Sequence, residues 1–515
     1  MQIDNSANSK RIAKNTLLLY VRMLFLMLVS FYTSRVILNA LGVEDYGIYN
    51  VVGGVVTMFS VLSGSLNAAI SRFITFELGT GDLDRLKNIF SSSVTIQAII
   101  ALLVIILAET IGLWFLNNKM VIPENRLSAA NWCFQFSIIT FAVNLLAVPY
   151  TASIIAHEKM SAFAYISIIE ALGKLVVAWC IVINPIDRLI FFAIMVAVVA
   201  WSICLIYAWY CKKHFDECHY HLYYDHDLLK RMFGFAGWNF IGASSGILRD
   251  YGINIVLNLF WGPAVNASRG ISMQVNNAVM GFLQNFLTAL NPQITKSYAV
   301  QDINYTFKLV FLGARVSFFM LLLLSLPIII ETPTILSLWL KIVPDYAVVF
   351  VRLILIYIMV ESISFTMVTL MLAIGDIKKY QIVVGGFQML NLPVAYCLLK
   401  IGMSPEWPIM GSIFIAFGCL LLRLKMLSQM VSFPVKRFVK EVLFRILSVS
   451  SLSVIISLYL ISLLESSLIR LFITCLLCTS ILCTCIVFVG CNKRERDLLF
   501  CKMLLAYKKY AHRHN

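Results

Sequence analysis

Apolar runs of about 20 residues, separated by short polar stretches, recur along almost the whole chain, and each is long enough to cross a bilayer as a helix. About fourteen such spans are predicted. They lie at roughly 15–40, 47–71, 89–116, 130–155, 162–184, 189–211, 233–260, 267–294, 307–330, 347–373, 381–399, 405–427, 441–463 and 467–490. The connections between them are short, the longest internal one running from Lys212 to Met232. No loop is large enough to bury a core of its own. The fold class predicted is therefore an all-α polytopic membrane protein that works within the membrane or at its surface.

The spans carry an internal echo. Span 1 ends Leu38-Asn39-Ala40-Leu41-Gly42, and span 7 ends Leu257-Asn258-Leu259-Phe260-Trp261-Gly262. Span 2 closes Leu66-Asn67-Ala68-Ala69-Ile70-Ser71-Arg72, and span 8 closes Leu290-Asn291-Pro292-Gln293-Ile294-Thr295-Lys296, again at an offset near about 220 residues. An offset of six helices keeps both halves in one orientation. This predicts two parallel six-helix bundles around a central cleft, with a binding site near the midplane, plus two C-terminal helices. The corresponding divisions are 1–211 for the first bundle, 212–232 for a cytoplasmic linker, 233–427 for the second bundle, 428–490 for helices 13 and 14, and 491–515 for a basic tail. The alternative is one irregular bundle with coincidental similarity.

Composition agrees with a membrane solvent: the 515 residues are 60% hydrophobic and only 13% charged, where a soluble domain carries roughly 25% charge. Disorder, collagenous repeats and secreted disulfide scaffolds are excluded. The 13 cysteines lie mostly inside apolar runs, as at Cys475, Cys478, Cys483 and Cys485, and are expected to pack as small apolar groups without a disulfide framework. The net charge of +15 is explained by position. With the N-terminus in the cytoplasm, cytoplasmic segments hold about 27 of the 41 Lys and Arg, and outer loops about 6. Both termini are thus expected in the cytoplasm, and the charge requires no nucleic acid. Lys10-Arg11-Ile12-Ala13-Lys14 precedes an apolar run without a small-residue cleavage site, which reads as an uncleaved first span.

Ionisable groups inside spans cost about 2.5–3.5 kcal/mol on insertion scales, which makes them functional candidates. Span 1 holds Arg22 and Arg35, span 5 holds Glu170 and Lys174, span 7 holds Arg249 and Asp250, and Arg269 opens span 8. Arg315 lies in span 9, Arg352 and Glu361 in span 10, and Glu109 and Arg445 add to the set. The surplus of bases predicts an interior that attracts an anion. Glu170 and Lys174, at i and i+4, are expected to neutralise each other. Arg269, Arg352 and Arg445 lie near span ends, where snorkelling to headgroups is the plainer role. Arg22 and Arg35 point about 140° apart on an ideal helix, so both line one cleft only if span 1 bends. Adjacent Arg249 and Asp250 point about 100° apart, which argues against a local pair. Span 8 presents Asn277, Gln284 and Asn291 at seven-residue spacing, with Gly281 and Thr288 between them. Such a stripe either glues helices together or offers amides to a sugar.

Cys211, His214, Cys218, His219, His221 and His226 crowd one loop, but their spacing fits no common zinc pattern, and no metal is expected. There is no Gly-rich phosphate loop and no Walker-type Lys, so neither a nucleotide nor another cofactor is expected.

The segment Arg35-Val36-Ile37-Leu38-Asn39-Ala40-Leu41-Gly42-Val43-Glu44-Asp45-Tyr46-Gly47-Ile48-Tyr49, the Asn291-Pro292-Gln293-Ile294 element and the six-plus-six arrangement resemble Wzx-type polysaccharide (O-antigen and capsule) flippases. These belong to the multidrug/oligosaccharidyl-lipid/polysaccharide exporter superfamily. The resemblance implies a transporter and no enzyme: an inner-membrane protein that moves undecaprenyl-pyrophosphate-linked oligosaccharide to the periplasmic leaflet. Membrane lipids and the polysaccharide polymerase complex would be its partners. Arg22, Arg35, Arg249 and Arg269 would meet the pyrophosphate, and Asn277, Gln284 and Asn291 the glycan. The alternative within the superfamily is a cation-coupled multidrug exporter, for which Asp250 and Glu361 are the available coupling acids. A membrane-embedded glycosyltransferase or polymerase is the remaining alternative, and this chain lacks the large outer loop on which such enzymes place their catalytic groups.

Overall fold

A computed structural model describes residues 5–58, 82–157, 159–183, 187–221, 249–374, 377–463 and 468–491, together with isolated positions between them. The described residues are helical almost throughout and contain no strand. Eleven helices among them are long and apolar enough to cross a membrane. The all-helical expectation is met; the turn of the predicted second span over 59–69 and most of the seventh before 249 lie outside the described residues.

The chain divides into two compact units. The first comprises Met1–Gln274, Trp339–Phe350 and Gly385–Gly411; the second comprises Val275–Leu338, Val351–Val384 and Ser412–Asn515.

In the first unit, α1 (Asn5–Met58) is continuous except at Gly42, whose φ of 82° and ψ of 173° break it into the two predicted hairpin arms. Helix α6 (249–261) ends at Gly262, with φ 74°, before α7 (Pro263–Ala299) begins. The two hairpins aligned by sequence therefore both turn on glycine in the left-handed region, where a side chain is strained. The recurrent motif has a packing role as well. A Cβ on Gly47 would collide with the carbonyl oxygen of Pro263. Tyr49 meets Phe192 edge-on at 4.8 Å, and Asp45 accepts from Arg126 Nε at 2.7 Å.

Arg126 also pairs with Asp187 at 2.5 Å, tying the α1 turn to the start of α5 (Arg188–His214). Asp187 is the N-cap of α5, accepting from the backbone N–H of Leu189 at 3.0 Å and of Ile190 at 3.2 Å. Burial alone would raise its carboxyl pKa, but Arg126 and those two N–H groups outweigh burial and hold it below the usual value. Buried amides complete the join. Asn266 donates to the Asn254 carbonyl and side-chain oxygens, both at 2.7 Å, and accepts from Asn258 at 3.1 Å. Asn258 in turn accepts from the Val121 N–H at 3.0 Å.

Between these ends run α2 (Leu83–Asn118), α3 (Leu127–Ala156), α4 (Met160–Ile183) and α5. A π-turn at Ala108–Gly112 interrupts α2, and Phe134 of α3 packs so close that a Cβ on Gly112 would meet its ring at 2.7 Å. Beside it, Glu109 accepts from Gln135 at 3.0 Å.

The second unit is built on α8 (Ile303–Ile330), whose apolar window is 72% buried, the highest share among the eleven spans. Helices α9 (Thr332–Trp339) and α10 (Ala347–Ile374) follow, the latter loosened by a turn at residues 363–364. Of the helices that follow, α11 (Gln381–Lys400) lies mostly in the first unit, while α12 (Trp407–Val431), α13 (Val435–Ser462) and α14 (Ile469–Gly490) lie almost wholly in the second. Two predicted intramembrane bases have structural roles here. Arg315 and Arg445 donate to the Gly490 carbonyl at 3.2 and 3.3 Å, where α14 ends and its last carbonyls need donors. Arg470 pairs with the buried Glu331 at 2.7 Å, and Thr474 reaches the same oxygen at 3.3 Å. Helix α14 is thus bound to α8 by polar contacts near both ends, and α13 is bound to the end of α14, where an apolar solvent makes satisfied polar groups valuable.

Candidate substrate cavity

Within the first unit, α1, α3, α4 and α5 enclose a cavity of about 500 Å³. The α1 wall is a stripe at helical spacing: Arg22, Leu26, Val29, Ser30, Thr33, Ser34 and Ile37. Helix α3 adds Thr140 and Asn144, and α4 adds Ser167, Glu170 and Lys174. A smaller chamber of about 140 Å³ shares Tyr49, Thr140, Asn144 and Val196 with the first and extends to Thr57 and Ser137. Hydroxyl groups and the Asn144 amide thus recur among apolar side chains from Arg22 to Thr57, more polar groups than lipid-facing helices need.

Arg22 is held in place. Its Nη2 donates to Ser167 Oγ at 3.0 Å, and its guanidinium lies 4.4 Å from the centre of the Phe163 ring. Lys174 and Glu170 form the expected i, i+4 pair at 2.6 Å on the cavity wall. At the rim, Gln274 donates to the Ser30 carbonyl at 3.0 Å and to Ser30 Oγ at 2.9 Å, and also bonds Ser34.

Arg35 faces elsewhere, as the 140° separation requires. It lines a second cavity of about 530 Å³ on the other flank of α1, with Arg188 and Lys341. Arg249 and Asp250 depart from expectation. They pair directly, Nε to Oδ1 at 2.9 Å and Nη2 to Oδ2 at 3.2 Å. The divergence of their Cα–Cβ bonds does not prevent this, because a long Arg side chain can fold back along the helix. Arg269 is buried at 3% exposure, and neither it nor Arg249 lines these cavities. On α7, Asn277 and Gln284 are exposed, while Asn291 accepts from Thr369 at 2.9 Å; the side chain of Thr288 lies outside the described residues.

Glu361 acquires a partner no sequence spacing suggested, the buried Arg423 at 3.4 Å. Arg352 donates to the Ile329 carbonyl at 3.0 Å and serves the end of α8. In the Cys/His loop, His157 bonds Glu217 at 2.5 Å and stacks on Phe215 at 4.1 Å. His221 bonds Ser91 and Asn88, each at 2.9 Å, and Cys211 donates to the Tyr150 carbonyl at 3.4 Å. These contacts fasten the connection onto α2, α3 and α5; His226 lies outside the described residues.

The fold is shared with membrane transporters of known structure. An inward-facing multidrug resistance MATE family transporter of the MOP superfamily superposes with a TM-score of 0.66 at 12% identity, over 79% of this chain and 96% of that one. The lipid II flippase MurJ in an inward closed conformation superposes with a TM-score of 0.63 at 12% identity, over 94% of this chain and 100% of the other. The MATE multidrug transporter DinF-BH, in a ligand complex, gives 0.59 at 15% identity, over 83% and 97%. No curated protein matches the sequence. Residues 12–297, more than half of the chain, match the family described as Polysaccharide biosynthesis protein, and the chain belongs to that family.

Proposed function

We propose that this protein flips an undecaprenyl-pyrophosphate-linked oligosaccharide from the cytoplasmic to the periplasmic leaflet of a bacterial inner membrane by alternating access, for O-antigen or capsule synthesis. The observation that carries the reading is the Arg22 cavity. It joins one positioned guanidinium to the hydroxyls of Ser30, Thr33, Ser34, Thr140 and Ser167 and the amide of Asn144. A guanidinium fork suits pyrophosphate oxygens, the polar wall suits sugar hydroxyls, and the polyprenyl tail needs no site because lipid solvates it. The protein forms and breaks no covalent bond in this reading; it moves its cargo.

The state of the acids supports this over a cation-coupled exporter. Glu170, Asp250 and Glu361 each face a base within 3.4 Å, so a coupling cation would have to displace a resident guanidinium or ammonium. In the proposal Arg22 and Arg35 meet the pyrophosphate on successive steps, and Asn277, Gln284 and Asn291 serve the glycan. Arg249 and Arg269 contribute field, and Asp250 and Glu361 remain the groups at which ion coupling would act. The 1–211 and 233–427 bundles are the moving parts, both termini lie in the cytoplasm, and the polymerase complex receives the product.

The test is leaflet-resolved flipping of a defined lipid-linked oligosaccharide in proteoliposomes. Translocation that requires Arg22 supports the proposal. Export of cationic dyes with no movement of the lipid-linked glycan would refute it.

A further inference from the structure

The second cavity has a charge composition of its own. Its charged lining is Arg35, Arg188 and Lys341, with Tyr32 and Asn39 beside them and no carboxylate among the lining residues. The three bases come from separate places: α1 just before the Gly42 turn, the first residue of α5, and the segment after α9. By the charge count, the outer loops, near which these three bases fall, are where bases are scarce.

Other bases there have local partners as well. Arg126 bridges Asp45 and Asp187. Lys119 sits 5.9 Å from the Trp114 ring, and Lys400 sits 5.9 Å from the Tyr396 ring. Asp187, next to Arg188 in sequence, is taken by Arg126 and by the helix N–H groups it caps, so its charge serves the turn and not the cavity. Arg188 Nη1 donates to the Ala40 carbonyl at 2.9 Å, which fixes the head and uses one of its five N–H donors. Three like charges around one cavity repel each other, and an anion between them removes that cost. A volume of about 530 Å³ falls in the range of small-molecule sites.

We propose that Arg35, Arg188 and Lys341 form a phosphate-binding subsite distinct from the Arg22 cavity. Two Arg forks and one ammonium accept the oxygens of a phosphate or diphosphate ester. Its source is either a phospholipid headgroup or the diphosphate of a carried lipid. In the second case the subsite is the exit station of the cargo, and only that assignment rests on the flippase reading.

The test uses the full chain in neutral phosphatidylcholine nanodiscs, with inorganic pyrophosphate binding followed by calorimetry at low salt. Arg188→Gln and Lys341→Gln should each weaken one class of site about tenfold or more, the scale of one lost charge-assisted bond. Lys119→Gln and Lys400→Gln, at bases outside the cavity, should leave it unchanged. Lys341 is exposed, so its variant tests the site without threatening the fold. Displacement of pyrophosphate by phosphatidylglycerol would assign the site to headgroups, and displacement by polyprenyl pyrophosphate alone would assign it to cargo; both support the subsite. Pyrophosphate affinity unchanged by Arg188→Gln and by Lys341→Gln would overturn it. Failure of the flippase reading would appear differently, as absent glycan translocation with this binding intact.

Discussion

Replacing Gly47 with Ala adds one methyl group where the backbone of another helix already stands. The new Cβ would overlap the Pro263 carbonyl oxygen and crowd the Pro263 carbonyl carbon and Cα. All three neighbours are backbone atoms at a proline, so no rotamer change relieves the overlap. Either α1 or the start of α7 must shift. Overpacking of this kind costs about 1–3 kcal/mol. A helical Gly→Ala change also gains roughly 0.8–1 kcal/mol of propensity, which would partly mask the collision. Gly53→Ala, on the same arm of α1 with nothing within 4 Å of the added Cβ, supplies the correction. Both variants gain the propensity term and only one collides. The difference in unfolding free energy between them, from SDS titration in micelles, should therefore be about 1–3 kcal/mol, with Gly53→Ala at or above wild type. Equal stabilities would show that the hairpins do not meet at Gly47, and the packing role assigned to the motif would fall.

Asn266→Leu strands the Asn254 side-chain oxygen and removes two further bonds, so it should cost roughly 2 kcal/mol in the same titration; a change under about 0.5 kcal/mol would contradict the buried network. Glu331 concerns pH. Burial would raise its carboxyl pKa, but Thr334, Arg470 and Thr474 outweigh that and hold it below its ordinary value of 4.5. The unfolded chain therefore binds the proton more tightly, and the contribution is complete above about pH 4.5 and is lost as pH falls through the lower folded value. Wild type and Glu331→Gln should differ in stability at pH 6 and converge toward pH 3, and a constant difference would refute the ion pair with Arg470. Arg445→Met should loosen the end of α14 by about 1 kcal/mol through the lost Gly490 contact, read as faster amide exchange near Gly490; unchanged exchange would contradict the capping role.

Much of the architecture was legible because a bilayer imposes a length and a polarity on every crossing helix. The spans follow from that alone. The separation of Arg22 and Arg35 was legible too, since helix geometry places them on different flanks, and they line different cavities. The Arg249–Asp250 pair was misjudged because Cβ directions do not fix the head of a long side chain. The Leu41-Gly42 motif stood out as a pattern, but its physics required partners far along the chain: Pro263 against Gly47, Arg126 on Asp45, Phe192 on Tyr49. Glu361 and Arg423 meet across 62 residues, a separation no helical period announces. Nothing in the sequence singled out Arg188 and Lys341, since only the folded α1 turn brings them to Arg35.

The central claim is that the Arg22 cavity receives a lipid-linked glycan. Its most direct measurement is the rate at which a fluorescent polyprenyl-pyrophosphate oligosaccharide changes leaflets in proteoliposomes, compared between wild type, Arg22→Gln and Arg22→Lys. The account predicts rapid exchange in wild type, a loss of tenfold or more in Arg22→Gln, and partial recovery in Arg22→Lys, because an ammonium restores the charge but not the fork. Wild-type rates in a stably folded Arg22→Gln protein would contradict it.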